Sequence, residues 1–168
     1  YKNYLNSKLI LFKNLLKKNS NTIIDKDIPQ YKILKKIANK KKLKINTIGL
    51  DNSTLELKMH RYEDERQIFK INYKKKIYLL VVKLIGKVQI KNILMAMIAA
   101  EKSGLKFEKI VKNIYKIKNV NGRLEKIGKI KNNSTAILDY AHTPDALKNC
   151  LKNIKDQYLN KKISIVFG

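Results

Sequence analysis

The 168-residue sequence has one cysteine, Cys150. A single thiol closes no intramolecular disulfide and builds no cysteine-cluster metal site, so the fold has to rest on its core, and a reducing cytoplasm fits. Proline is scarce too, with only Pro29 and Pro144, and glycine numbers six, so no Pro- or Gly-rich linker divides the chain. The longest apolar run, around Ile93 to Ala100, falls far short of the roughly 20 residues of a membrane span, and no signal-peptide pattern is present. The expected partner list therefore contains no membrane. Arginine is the most telling shortage. The net charge of +25 suggests nucleic acid, but only Arg61, Arg66 and Arg123 among the 38 basic residues are arginines. Base readout and bidentate phosphate clamps favour arginine. The lysines run along the whole chain together with isoleucine and asparagine, which reads as compositional drift, so no nucleic-acid partner is expected. A lysine-rich RNA-associated protein is the alternative from another functional class.

A hydrophobic content of 44% is enough to bury a core. Residues 1–18 have helical periodicity, with Tyr1, Tyr4, Leu5, Leu9, Leu11, Phe12, Leu15 and Leu16 on one arc and Lys8 in its middle. "NTIID" reads as a strand, "PQYKILKKIANKK" as a helix with Pro29 in its first turn, and "LKINTIG" as a second strand, which is βαβ logic. From 54 to 84 the period becomes two, predicting an antiparallel meander. A nearly all-apolar helix follows from about Val88 to Ser103 and stops at Gly104. Another helix carries Phe107, Ile110, Val111 and Ile114 on one face.

The pattern breaks at "NVNGRLEKI", which places a domain boundary near Asn121, with residues 1–120 before it and 121–168 after it. Beyond it come a short strand, a turn at "KNNST", a strand "AILDY", a helix "TPDALKNCLKNIKDQY" and a strand "ISIVF". The chain opens inside a helical pattern and closes on a strand and Gly168, so it reads as a fragment of a longer protein. Leu147, Cys150, Leu151 and Ile154 share helical spacing, which makes Cys150 a small packing residue rather than a nucleophile. Thr143 suits an N-cap, Pro144 the first helical position, and Asp145 the positive end of the helix dipole. Asp139, Tyr140 and His142 then lie between the end of a strand and a helix N-terminus, where open α/β sheets bind ligands. The local alternative is that Asp139 and His142 satisfy loop backbone groups.

Four stretches in order, "YLNSKLILF", "GKVQIKNILMAMIAA", "NGRLE" and "DYAHTPDAL", resemble the Mur ligases, ATP-dependent amide-forming enzymes of peptidoglycan synthesis. The resemblance covers essentially the whole chain. It implies a mixed α/β fold, the later half of a central ATPase domain followed by the start of a Rossmann-like C-terminal domain. "HTPDAL" resembles the branch that adds the third residue of the peptide stem. Other Mur ligases and folylpolyglutamate synthase share the remaining motifs and are the alternatives within the class. The reaction implied joins a diamino acid, meso-diaminopimelate or L-lysine, to UDP-N-acetylmuramoyl-L-alanyl-D-glutamate through an acyl phosphate, with ATP and Mg²⁺, in a monomeric cytoplasmic enzyme.

Site residues carry over in the same terms. Lys8 matches the lysine that becomes carbamylated and supports Mg²⁺. Asn92 matches an asparagine near the adenine, with Gln89 where the motif commonly has its first asparagine. Arg123 and Asp139 match contacts to the ATP ribose and phosphates, and His142 a side chain pointing toward the phosphates. Asp25 stands where "Asn-x-Asp-Asp" is usual, which leaves Asp27 as the better match. The chain contains no G-x-x-x-x-G-K-[ST] phosphate loop and no Asp-Asn-Pro-Arg stretch. The 168 residues are therefore not expected to catalyse alone. Independently of the resemblance, an ammonium among the apolar residues flanking Lys8 would lose hydration, inviting an ion pair or chemical neutralisation, unless the stem snorkels to water.

Overall fold

The computed structural model describes residues 2–166, excluding the side chains of Lys2 and Asn133. Tyr1, Phe167 and Gly168, which figured in the expectations above, lie outside the described residues. Helix α1 (Lys2–Ile10) runs into a single π turn, Leu11–Leu15. Strand β1 (Asn21–Asp25), helix α2 (Tyr31–Lys40) and strand β2 (Lys44–Gly49) form the expected parallel βαβ unit, paired from Asn21–Lys44 to Asp25–Ile48. Strands β3 (Leu55–Glu63), β4 (Arg66–Tyr73) and β5 (Lys76–Val82) form the expected antiparallel meander. Because β3 pairs in parallel with β2, one mixed sheet runs β1-β2-β3-β4-β5.

Helix α3 (Lys87–Lys102) covers one face of this sheet. Its Ile90, Ile93, Leu94, Met97 and Ile98 meet Ile48, Leu55, Phe69 and Ile71, and α4 (Phe107–Asn113) closes the end with Phe107. Gly104 terminates α3 with φ +100°, a conformation that favours glycine. The other face of β1 packs Ile24 against Ala38 and Leu43, with Phe12, Leu16 and Leu34 around them.

Three expectations need correction. Pro29 precedes α2 rather than opening it: Tyr31 N donates to Ile28 O at 3.1 Å, so Pro29 lies inside a turn and Gln30 is the N-cap. The N-terminal apolar arc is only half used. At about 100° per residue, Leu5, Leu9, Phe12 and Leu16 make up one side of it and are buried or half-buried, Phe12 and Leu16 against the β1–α2 cluster, while Tyr4, Leu11 and Leu15 make up the other. Those three are 62%, 47% and 68% exposed, and Lys8 is exposed with them. An arc that wide cannot be covered by one neighbouring layer. The third correction concerns Ile163–Val166, which form no strand. Among the described residues no strand lies beside them to complete a ladder, and Val166 is 99% exposed.

Past residue 121, strands β6 (Glu125–Lys129) and β7 (Thr135–Leu138) make an antiparallel pair, and α5 (Pro144–Gln157) follows. The start of α5 is as expected. Thr143 is extended at the N-cap, its Oγ1 accepts from Ala146 N at 3.3 Å, and Pro144 occupies the first turn. Thr143→Ala should lower stability by about 1 kcal/mol, read as a denaturant midpoint shift at constant slope.

Candidate functional site

The turn "NGRLE" sets the geometry. Gly122 has φ +65° and Leu124 φ +48°, so the chain reverses sharply. Gly122 N donates to Glu125 Oε2 at 2.7 Å, and Tyr140 N donates to Gly122 O at 2.9 Å, locking the turn to the segment after β7. Asp139 completes the lock. Its Oδ2 accepts from Leu124 N at 2.8 Å and its Oδ1 from Ala141 N at 3.0 Å.

Across from this turn stands the first half of α3. Asn92 Nδ2 donates to Gln89 Oε1 at 3.0 Å, and Gln89 Nε2 donates to Arg123 O at 3.1 Å. Gln89 thus spans from α3 to the turn, and an asparagine there would be one methylene shorter. Between the two sides lies a cleft of about 500 Å³, lined among others by Gln89, Asn92, Arg123, Asp139, Asn149 and Asn153. The Arg123 guanidinium sits 5.9 Å from the centre of the Tyr140 ring.

Four of the six expected site residues, Gln89, Asn92, Arg123 and Asp139, therefore line one cleft although they come from separate stretches of sequence. Lys8 and His142 are not in its lining. Lys8 Nζ lies 4.6 Å from the Tyr4 ring centre on the exposed side of α1. The structure therefore removes the desolvation argument for Lys8, and only the resemblance still points to a role for it. His142 is exposed, with Nδ1 3.0 Å from Tyr140 O and its ring edge-on to Tyr140 at 5.1 Å. Both Asp139 and His142 do satisfy loop backbone groups, as the local alternative held. For Asp139 this is combined with a place on the cleft wall.

Cys150 also lines the cleft, half-buried. Burial pushes its thiol pKa up and the Asp139 carboxylate adds to the rise, which leaves a protonated, weakly nucleophilic thiol, as its helical spacing suggested.

Sequence reasoning missed several residues. Lys91 Nζ reaches Asp25 Oδ2 at 2.7 Å and Asp27 Oδ2 at 3.3 Å, tying α3 to the end of β1. Burial alone would push Lys91 down, but the two carboxylates prevail and its pKa is raised. Asp25, 7% exposed, also accepts from Asp27 N at 2.9 Å. Asn149, Asn153 and Gln157 were missed as well. Their i, i+4, i+8 spacing puts three amides on one face of α5, and that stripe was visible in the sequence.

A mixed sheet with helices followed by a turn, a strand pair and a helix, with a polar cleft between the two parts, defines a two-part α/β architecture. The chain belongs to the Mur ligase family: residues 1–100 match the Mur ligase middle domain and residues 122–168 match the Mur ligase, glutamate ligase domain. Among curated relatives, the UDP-N-acetylmuramoyl-L-alanyl-D-glutamate--2,6-diaminopimelate ligase of Chelativorans sp. (strain BNC1) is 33% identical over 165 residues, 98% of this chain and 34% of that protein. The ligase of the same name from Rickettsia montanensis is 32% identical, over 99% of this chain and 34% of that protein. The chain thus spans about a third of the length of the curated relatives it matches. A solved diaminopimelate ligase structure superposes with a TM-score of 0.72 at 27% identity, covering 92% of this chain and 32% of the other. The MurF ligase of Thermotoga maritima in complex with ADP gives a TM-score of 0.75 at 16% identity, covering 92% and 35%, and shows the shared fold. No helix among the described residues is long and apolar enough to cross a membrane.

Proposed function

We propose that the chain is part of a cytoplasmic ATP-dependent ligase that joins a diamino acid to the D-glutamyl carboxylate of UDP-N-acetylmuramoyl-L-alanyl-D-glutamate, and that the cleft beside Arg123 receives the nucleotide. The observation that carries this is the convergence of Gln89, Asn92, Arg123 and Asp139 on one cleft. The similarity to diaminopimelate ligases over nearly the whole chain supports diaminopimelate as the added residue. In the reaction the carboxylate oxygen takes the γ-phosphoryl group, and the incoming amine then displaces phosphate and loses a proton to give the amide.

The residues present fit part of ATP. Amides on both sides of the cleft can donate to and accept from a base, and Arg123 supplies a guanidinium for anionic oxygens. The triphosphate cradle is outside this sequence, which has no phosphate loop. The described residues offer no ready-made cage for Mg²⁺: among them no three His, Cys, Asp or Glu side chains come together as a metal site, and such an ion at a nucleotide is ordinarily held by one or two carboxylates together with phosphates and water. Lys8 would offer oxygen ligands only as a carbamate, so no step of this reading passes through the metal. What this chain contributes is positioning and charge at the nucleotide.

The test is Arg123→Ala in the full-length enzyme. Arg123 is exposed, so the melting temperature should stay within about a degree while KM for ATP rises about tenfold. An unchanged KM would remove Arg123 from the nucleotide site. Binding of random RNA at physiological salt separates the alternative class. The ligase reading expects only weak affinity that added salt abolishes.

A further inference from the structure

The two parts of the chain touch at the first turn of α3, where α5 makes the contact. The N-cap of α3 is Gly86, which has no side chain to satisfy the free backbone N–H groups of the helix start. Residues of α5, more than 60 positions away in sequence, take that place. Gly86 N donates to Gln157 Oε1 at 2.9 Å, and Val88 N donates to Asn153 Oδ1 at 3.2 Å.

We propose that Asn153 and Gln157 are positioning residues for the ligase reaction: they cap α3 from across the Asn121 turn and thereby set the width of the nucleotide cleft. The inference rests on the ligase reading for its kinetic consequence, though not for the geometry itself. The capped turn of α3 is the one that carries Gln89 and leads to Asn92. The capping helix begins five residues after Asp139 and also lines the cleft with Asn149 and Asn153. Movement of α5 away from α3 would therefore open the cleft and leave two backbone donors without their protein partners.

Two further observations indicate a held but separable contact. The approach at Gly86 is as close as backbone allows. A Cβ there would lie 2.7 Å from Leu124 Cδ1 and 2.9 Å from Asn153 Cβ, at a φ of +86°. Gln157 is 7% exposed, yet its Nε2 has no hydrogen-bond partner among the described residues. The contact uses only the acceptor half of that amide, which is poor design for a permanent interface and suits one that parts during turnover. A second tie lies alongside, where Lys126 of β6 pairs with Glu65 in the β3–β4 turn.

The experiment uses the full-length enzyme with one dye on the central part and one beyond residue 121. In Asn153→Ala/Gln157→Ala the inter-dye distance without substrate should lengthen. KM for ATP should rise about tenfold while kcat changes less than twofold. Gln157→Glu keeps the acceptor oxygen and should retain the short distance and the parental KM. If the double variant melts too low to assay, Asn153→Ala alone should still raise KM about threefold. Unchanged distance and KM in the Ala variants would overturn the proposal. So would a Gln157→Glu variant that behaves like Gln157→Ala, or lowered melting with no change in distance. Failure of the parent enzyme to form an amide bond with ATP would instead defeat the ligase reading, and the substrate-free distance would still report on the cap.

Discussion

Asp139→Asn in the full-length enzyme should lose about 2 kcal/mol of stability and about a hundredfold in kcat/KM. From sequence alone, a carboxylate at a loop edge is expected to matter for turnover and little for packing. The structure changes the second half of that expectation. Both carboxylate oxygens of Asp139 accept backbone N–H groups, at 2.8 Å from Leu124 and 3.0 Å from Ala141. Asparagine supplies one acceptor and turns its NH₂ toward the other donor, so one charged hydrogen bond, worth about 1.5–3 kcal/mol, is replaced by an unpaired contact. Leu124 is the sensitive partner. It is 4% exposed with φ +48°, a conformation that costs a branched side chain about 1–2 kcal/mol and persists only while its surroundings enforce it. Releasing Leu124 also releases Arg123 beside it, and a misplacement of about 1 Å at a positioning residue is enough for a hundredfold loss. Urea midpoints and steady-state kinetics on the same preparation check both halves. A variant with parental stability would show that the two backbone bonds contribute nothing.

The parts of this protein that were legible in sequence are those written as local periodicity. β1-α2-β2, the β3–β5 meander, the stop of α3 at Gly104 and the Thr143–Pro144 start of α5 each follow from residues within about one turn or one hairpin of each other. The N-terminal arc failed because periodicity shows which residues share a face and not how much of that face a neighbour covers, so of the two settings the sequence left open for Lys8 the exposed one holds. The strand expected over 163–166 failed for a related reason. A strand is defined by its partner, and an apolar alternation does not name one. The candidate site was legible in its family motifs, and the convergence of Gln89, Asn92, Arg123 and Asp139 is what those motifs implied. The partners of the amides that organise the site were not. Gln67, Asn153 and Gln157 act over separations of 17 to 71 residues; the spacing of the α5 amides shows a shared face but does not name the N–H groups they cap, and a lone glutamine in a strand, such as Gln67, carries no local signal.

Gln67 is the clearest case, and Gln67→Leu should destabilise the protein by about 3 kcal/mol and make it more sensitive to mild acid. The residue is 0% exposed in β4. Its Nε2 donates to Leu84 O at 2.7 Å and to Gly86 O at 3.1 Å, fixing the strap between β5 and α3, and its Oε1 lies 2.7 Å from His60 Nε2. Leucine matches the volume but leaves two carbonyls and a ring nitrogen without this partner, at about 1–3 kcal/mol for each buried group left unsatisfied. Out of a total stability of about 5–15 kcal/mol that is a large fraction. The acid effect comes from His60. Burial pushes its pKa down, the Gln67 oxygen pulls it back up, and the nearby charge of Lys87 pushes it down again. With the folded value below the ordinary value of 6.5, the unfolded chain binds the proton more readily. Stability is then full above about pH 6.5 and falls as pH drops toward the folded pKa. Removing the Gln67 oxygen depresses the folded value further and widens that window. The acidic residues Glu56 and Glu65, whose pKa values are lowered chiefly by hydrogen bonds to Lys58 and Lys126, lose their contribution only below about 4.5, so the two effects separate on the pH axis. Thermal melts at pH 7.5, 6.0 and 5.0 should show a steeper fall for Gln67→Leu than for the parent, and the difference should vanish when His60 is replaced by glutamine in both. Parallel pH profiles would sink the coupling between the two side chains.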